Sequence, residues 1–183
     1  DLHIPNLIKA YELIQNLEDS HWKAIKSKQI IKVIEACSGL FMEAVADTET
    51  TTKDSKFNLN IEVINRSQSN AKLISVNALN LKNETKNTVL NYNEVLNFKF
   101  KDLVVGNNVA YSNLFWLKQK QTEGMYQVSD KSIRILPEVS TSFPVIFTIE
   151  IEGKTIEFVK NICYKFNNPD DGETYVPFTI LPE

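Results

Sequence analysis

The one local concentration of hard oxygen ligands in this chain is the short run Asp170-Asp171-Gly172-Glu173. Carboxylate oxygens are the ligands that Ca²⁺ prefers, and it takes six to eight of them from a flexible loop. The spacing does not match an EF-hand loop, and the preceding Pro169 completes an ordinary turn sequence. We therefore favour a turn, with a calcium site at Asp170, Asp171 and Glu173 as the alternative.

Nothing else in the chain has the spacing of a catalytic or metal-binding motif. His3 and His21 are the only histidines, and no His-x-x-His, Cys-x-x-Cys or His-Glu-x-x-His spacing occurs. The chain also lacks a Gly-x-Ser-x-Gly elbow and a glycine-rich phosphate loop. We therefore predict no catalytic residue, no metal ligand set outside that run, no cofactor and no enzymatic activity, and keep a free-standing enzyme as the weakest alternative.

The four aromatic residues that suggest binding are Tyr111, Phe115, Trp116 and Tyr126. Three of them lie in residues 113–126, which show neither strand alternation nor a helical stripe. Such rings form a stacking platform for a sugar in carbohydrate-binding modules, or they cap one end of a core. We favour the cap and keep glycan binding as the alternative; the direction of the Trp116 ring decides between them.

Composition excludes several classes of protein. The chain has 183 residues, 43% of them hydrophobic, and a formal net charge of -3 with acids and bases intermixed. This charge argues against a nucleic-acid partner, which needs a basic face. No run approaches the ~18 apolar residues of a membrane span, so we predict no membrane insertion. The first and last residues read as the ends of a piece cut from a longer polypeptide.

Residues 1–39 predict a helical hairpin arm. An apolar face recurs at steps of three and four from Ile4 to Leu17, and Pro5 suits a first helical turn. Residues 18–20 end this helix and cap a short turn that carries Trp22. Ser27 is the expected N-cap of a second long helix, and Gly39 is its stop signal.

The arm needs a further surface against which to bury its apolar face, because neither helix is apolar all round. That surface is either the following sheet or a neighbouring domain. Trp22 either fills a hole between the helices or reaches a partner, and we favour the hole.

Residues 40–183 predict an immunoglobulin-like β-sandwich. Short alternating runs are separated by turns, one of them at residues 83–87, and there is no Cys…Trp…Cys pattern of antibody domains. The predicted strands are residues 40–47, 57–65, 71–81, 88–92, 94–103, 143–151, 155–166 and 173–180. The predicted fold class is therefore mainly β with an α-helical N-terminal arm.

The two cysteines are Cys37 and Cys163. Nothing in their spacing requires a disulfide, and whether they pair stays open. Free cysteines pack as small hydrophobes, so we favour two buried or half-buried thiols.

Several stretches resemble a known family. They are residues 16–23, 34–44, 116–118, 124–126 and 159–178. In these stretches the chain resembles the region that follows the catalytic domain in PIG-L/LmbE-like deacetylases of Bacteroidetes. The zinc signature of that family is His-Pro-Asp-Asp-Glu, whereas this chain has Asn168-Pro169-Asp170-Asp171-Gly172, without the histidine and the glutamate. No catalytic residue can be transferred to this chain.

The resemblance implies a non-catalytic accessory domain. The family's catalytic domain is a Rossmann-like zinc hydrolase that removes N-acetyl groups from amino sugars. Its accessory region would dock on this domain or space it from others, so the implied partners are the catalytic and other domains of the same parent chain. A glycan is the alternative partner. The implied location is periplasmic or extracellular.

Overall fold

The computed structural model describes residues 3–78, 81–107, 109–134 and 143–182. Within these ranges the chain forms two N-terminal helices followed by eleven strands, most of which belong to two larger sheets that do not close. The prediction of a mainly β chain with a helical arm is therefore confirmed.

The two helices are α1 (Ile4–Gln15) and α2 (Ser20–Cys37). The Asp19 carboxylate caps α2, because its Oδ1 accepts hydrogen bonds from the backbone N–H groups of His21 at 2.9 Å and Trp22 at 3.0 Å. The prediction that a second helix begins at Ser27 is wrong. Ser27 lies inside α2, where its hydroxyl accepts a hydrogen bond from Gln15 Nε2 at 2.8 Å.

Gly39 ends the hairpin as predicted. Its φ of +60° lies in the left-handed region, which glycine adopts without a Cβ penalty. A Cβ at this position would lie 3.2 Å from the backbone carbon of Arg66, whose N–H donates to the Gly39 carbonyl at 2.9 Å. Gly39 therefore both stops α2 and permits a close approach of two backbone segments.

The strands are, in chain order, β1 (Leu40–Ala46), β2 (Thr50–Thr51), β3 (Lys56–Asn65), β4 (Ala71–Ala78), β5 (Lys82–Val89), β6 (Val95–Val104), β7 (Pro144–Ile151), β8 (Lys154–Asn161), β9 (Cys163–Asn168), β10 (Gly172–Pro177) and β11 (Thr179–Ile180). A five-stranded sheet has the order β10-β9-β1-β3-β6, and a four-stranded sheet has the order β5-β4-β7-β8. Strands β2 and β11 form a separate parallel pair. Apart from the parallel β1–β9 pair, the two larger sheets are antiparallel.

Two strand predictions are wrong in their local detail. Residues 83–87, predicted as a turn, lie in β5, which is an edge strand with a mostly exposed, polar sequence. In β4 a bulge interrupts the register between Leu73 and Ser75. The bulge shifts the alternation by one residue, so that Leu73 and then Val76 and Ala78 are buried. Residues 79 and 80 of the predicted strand 71–81 lie outside the described residues.

The predicted strand at residues 155–166 is two strands in different sheets. The chain leaves the four-stranded sheet at the end of β8 and enters the five-stranded sheet in β9. Ile162, which lies between the two strands, is buried and donates its N–H to the Phe143 carbonyl at 2.8 Å. The predicted last strand is divided in a similar way into β10 and β11.

One hydrophobic cluster contains residues from both larger sheets and from both helices. Phe178, which lies between β10 and β11, is 1% exposed and contacts the rings of Phe57 and Phe143, with centroids 4.9 and 5.9 Å away. Ile8 of α1 and Ile34 of α2 belong to the same cluster. The arm is thus packed on the β region and shares its core.

Candidate functional site

The predicted aromatic segment is tied to the β region at its first residues. The Ser112 N–H donates to the Ile180 carbonyl, and the Ile180 N–H donates to the Ser112 hydroxyl, both at 2.8 Å. Beside this tether, the Lys53 ammonium group lies 4.2 Å from the centroid of the Tyr111 ring. These contacts hold one end of residues 111–126 against β11.

A single 3₁₀ turn, Phe115–Leu117, carries the two central aromatic residues. Phe115 is 8% exposed, and the Trp116 ring meets it edge-on with a centroid distance of 4.8 Å. Trp116 itself is half-buried. A T-shaped pair of this kind stabilises local packing, so Phe115 acts as the anchor and leaves part of Trp116 in contact with solvent.

The second half of the segment projects into solvent. Hydrogen bonds between Thr122 and Met125 close a tight turn, in which Gly124 has a φ of +83°. Met125 is 72% exposed and Tyr126 is 57% exposed. Large apolar groups exposed next to each other are typical of binding surfaces rather than of connecting loops.

An open surface pocket of about 510 Å³ lies beside Tyr126. Its lining residues are Gln119, Met125, Tyr126, Gln127, Val128, Ser129 and Arg134. The Arg134 Nε donates to the Val128 carbonyl at 2.9 Å, and Gln119 Nε2 donates to the Ser129 hydroxyl at 2.6 Å. The pocket therefore combines one aromatic ring with several polar groups that are already held in place.

The four predicted aromatic residues do not form one platform of touching rings. Within the described part of the chain, Phe115 and Trp116 make the one ring-to-ring contact of the set. Tyr111 lies under Lys53, and Tyr126 borders the open pocket. The sequence reasoning missed Gln119 and Arg134, because isolated polar residues in a loop carry no periodic signal.

The acidic run lies at the turn between β9 and β10. Asn168 Nδ2 donates to Asp171 Oδ2 at 2.9 Å, and the Asp170 N–H donates to Asn168 Oδ1 at 3.0 Å. Glu173 lies 3.8 Å from the ammonium group of Lys165. The bond from the Asp170 N–H to Asn168 is that of an Asx turn, and the Lys165 contact joins β9 to β10. Among the residues that the structure describes, no group of three His, Cys, Asp or Glu side chains is placed to hold a metal ion.

A part-buried ion pair that the sequence reasoning missed lies on the five-stranded sheet. Glu43, 9% exposed, accepts a hydrogen bond from Lys165 Nζ at 2.8 Å and one from the Tyr175 hydroxyl at 3.3 Å. The hydrogen bond to Glu43 raises the pKa of Lys165, and partial desolvation raises the pKa of Tyr175, which is still 47% exposed. Lys165 and Tyr175 follow Glu43 by 122 and 132 positions in the sequence, so no local pattern could reveal these contacts.

The cysteines are separate free thiols. The expectation that both are buried or half-buried is wrong for Cys37, which is exposed at the end of α2. Cys163 is half-buried, and its Sγ donates to the Ala44 carbonyl at 3.6 Å. Burial, followed by the nearby charge of Glu43, raises the pKa of the Cys163 thiol.

The helical arm carries a second exposed apolar surface. The expectation that Trp22 fills a hole is wrong: it is 52% exposed, with the His21 ring edge-on at 5.6 Å and the Lys26 ammonium 5.8 Å from its ring centroid. Leu13 is 71% exposed and Val33 is 43% exposed. Among the described helices, neither is long and apolar enough to cross a membrane.

Comparison with known proteins supplies no relative. The sequence matches no protein-family model, and neither the curated proteins nor the solved structures contain a match. The resemblance to the deacetylase accessory region therefore stays a prediction from sequence pattern.

Proposed function

We propose that this chain is a non-catalytic interaction domain that docks on another domain of a larger polypeptide through its helical arm. The observation that carries the proposal is the group of exposed apolar side chains on the arm. They are Leu13, Leu17, Trp22 and Val33, with exposed fractions of 71%, 41%, 52% and 43%.

The positions of these side chains on the helices support a docking face. Leu13 follows the buried Ile4 by nine residues, which turns it by half a circle on α1 and directs it away from the core. Trp22 and Val33 are eleven residues apart, close to three full turns, and so lie on one side of α2. A partly exposed tryptophan is the residue type that most often dominates interface energetics.

We propose the catalytic domain of a PIG-L/LmbE-like deacetylase as the partner, in a parent protein that acts on glycans in the periplasm or outside the cell. This identification is supported by the resemblance of residues 16–23, 34–44 and 159–178. Two of these stretches include parts of the arm, which is the element that we propose to dock.

We also propose that the two larger sheets pack face to face as an immunoglobulin-like sandwich. The single hydrophobic cluster with members from both sheets supports this arrangement. A contact between edge strands of the two sheets also supports it. The Lys86 ammonium of β5 lies 4.0 Å from the ring centroid of Phe98 in β6.

The docking proposal is tested by titrating this chain with the separately produced catalytic domain in a calorimeter. We expect Trp22→Ser to weaken binding by about tenfold or more, because hot-spot residues contribute about 2 kcal/mol or more. Leu13→Ser is expected to weaken it less. The matched control is Val89→Ser, which removes an equally exposed side chain, 64% exposed, from β5. Undiminished binding of both arm variants would refute docking through the arm.

Glycan binding near Tyr126 is the second candidate function. The exposed Tyr126 ring and the adjoining pocket with Gln119 and Arg134 favour it, since sugar sites pair an aromatic face with fixed polar groups. A glycan array measured with the wild-type chain, Trp116→Ala and Tyr126→Ala tests it. Loss of the signal in Tyr126→Ala supports this function; retention of the signal in both variants opposes it.

A further inference from the structure

A polar groove lies on the side of the five-stranded sheet that faces away from the core. Strand β3 buries Phe57, Leu59 and Ile61 in the core, so Asn58 and Asn60 point to the opposite side. The groove measures about 540 Å³. Its lining residues are Val45, Ala46, Asp47, Asn58, Asn60, Asn97, Lys99 and Lys101.

Asn60 occupies the centre of this groove. It pairs with Val45 on β1 and with Lys99 on β6. Its Oδ1 is shielded from solvent and accepts no hydrogen bond from any described residue. A shielded oxygen without a donor is unfavourable. The terminal torsion of an asparagine is broad, so the Asn60 amide can turn this oxygen toward the groove, where a ligand hydroxyl would supply the missing donor.

The groove has a positive balance of charge. Lys99 and Lys101 are exposed, and neither forms an ion pair with a described residue. The one carboxylate of the lining belongs to Asp47, and Asn58 occupies it by donating from its N–H at 2.9 Å and from its Nδ2 at 2.7 Å. The lining therefore holds two ammonium groups against one carboxylate, and the ammonium groups are the free donors for an anionic ligand.

Asn58 has a different role from Asn60. Besides its two bonds to Asp47, its Oδ1 accepts from the Asp102 N–H at 3.1 Å. The Asn58 amide thus has its hydrogen-bond partners within the protein and is held in place at the side of the groove. The groups left for a ligand are the amides of Asn60 and Asn97 and the two ammonium groups.

We propose that this groove binds a short acidic sugar chain, of the kind built from uronic acids. An amide both donates and accepts, which matches the hydroxyl groups of a sugar ring. An ammonium group forms charge-assisted hydrogen bonds with a carboxylate. Asn60 and Lys99 lie side by side on neighbouring strands, about 4.8 Å apart in the pairing direction, so adjacent groups of one ligand reach both.

Other anionic ligands fit these groups less well. A nucleic acid needs an extended basic face and stacking partners, whereas the groove offers two lysines and no aromatic side chain. Glu62, paired with Asn97, places a negative charge beyond one end. The ligand carboxylate is therefore expected on the β6 side of the groove, beside Lys99 and Lys101 rather than beside Asn97.

The test is a calorimetric titration of the whole chain with a galacturonic acid tetramer. Two further probes are its fully methyl-esterified form, which lacks the charges, and a tetraglutamate peptide, which lacks the hydroxyls. We expect the acid tetramer to bind best of the three probes. Lys99→Gln is expected to weaken its binding by about tenfold, because one charge-assisted hydrogen bond is lost. Asn60→Ala is expected to weaken it by about threefold to tenfold.

Lys28→Gln is the charge-matched control, because Lys28 is an exposed lysine of α2. It is expected to leave the affinity unchanged, and circular dichroism checks that each variant folds. The proposal is overturned by any of three results: no binding of the acid tetramer, equal binding of the methyl ester or the peptide, or equal losses in Lys99→Gln and Lys28→Gln.

Discussion

Lys165 donates a hydrogen bond to Glu43 across the parallel pair of β9 and β1, with 2.8 Å between Nζ and Oε1. Glu43 is 9% exposed, and the Tyr175 hydroxyl supplies its second partner. Because a buried carboxylate without partners is strongly unfavourable, this pair helps to set the position of β9 and β10 against β1.

This arrangement predicts an alkaline loss of stability. The pKa of Lys165 is raised by its hydrogen bond to Glu43, and that of the half-exposed Tyr175 is raised by partial desolvation. The folded chain therefore holds more protons than the unfolded chain at high pH, and the free energy of unfolding falls as the pH rises past about 10. Urea unfolding at several pH values measures the fall. Glu43→Gln should flatten it, and an unchanged slope in this variant would contradict the assignment.

Phe178→Ala should be among the most destabilising single substitutions. The ring is 1% exposed between Phe57 and Phe143, so its removal leaves a cavity that costs about 3–5 kcal/mol. Phe166→Ala is the matched control, because Phe166 is 39% exposed. Denaturant titrations of both variants provide the comparison, and similar losses in the two would contradict the placement of Phe178 in the core.

Gly39→Ala is expected to cost more than Gly153→Ala. Both glycines have positive φ, +60° and +80°. An alanine in this left-handed conformation costs about 1–2 kcal/mol in both variants. Only at Gly39 does a new Cβ meet backbone, 3.2 Å from the Arg66 carbon, whereas none lies within 4 Å at Gly153. Thermal unfolding of the two variants measures the difference. An equal loss of stability in the two variants would show that the backbone near Arg66 moves to accommodate the new Cβ without cost.

Asp19→Ala should lower the free energy of unfolding by about 1 kcal/mol, because it removes the N-cap of α2. Ser27→Ala should change the free energy of unfolding little. The variant loses one hydrogen bond from Gln15, but alanine has the higher helix propensity inside α2. Helical circular dichroism during urea unfolding distinguishes the two. A larger effect at Ser27 would support the separate helix that the sequence alone suggested.

The helix boundaries show how far local signals reach. The apolar spacing of α1, Pro5 in its first turn and Gly39 after α2 are each readable from the sequence, because each acts within a few residues. The sequence did not indicate whether Asp19 or Ser27 caps α2, because both residue types can cap a helix. Packing of a continuous α2 against α1 decides it.

The candidate sites divide in the same way. The sequence indicated that residues 111–126 are unusually apolar, but it did not reveal that Phe115 is buried while Tyr126 is exposed. The Glu43–Lys165 pair and the groove around Asn60 carry no sequence signal, because their members come from strands that are distant in the chain.

The sequence by itself determined the fold class: a helical arm followed by alternating strands, with Phe57, Leu59, Ile61 and Val63 on the buried face of β3. Local periodicity suffices for this, because helix and strand repeats express themselves within one element. Only the tertiary structure decided which sheet each strand joins, where β4 bulges, and that the chain changes sheets at Ile162. Those outcomes depend on how distant strands pair and fill one core, and no single segment encodes such long-range contacts.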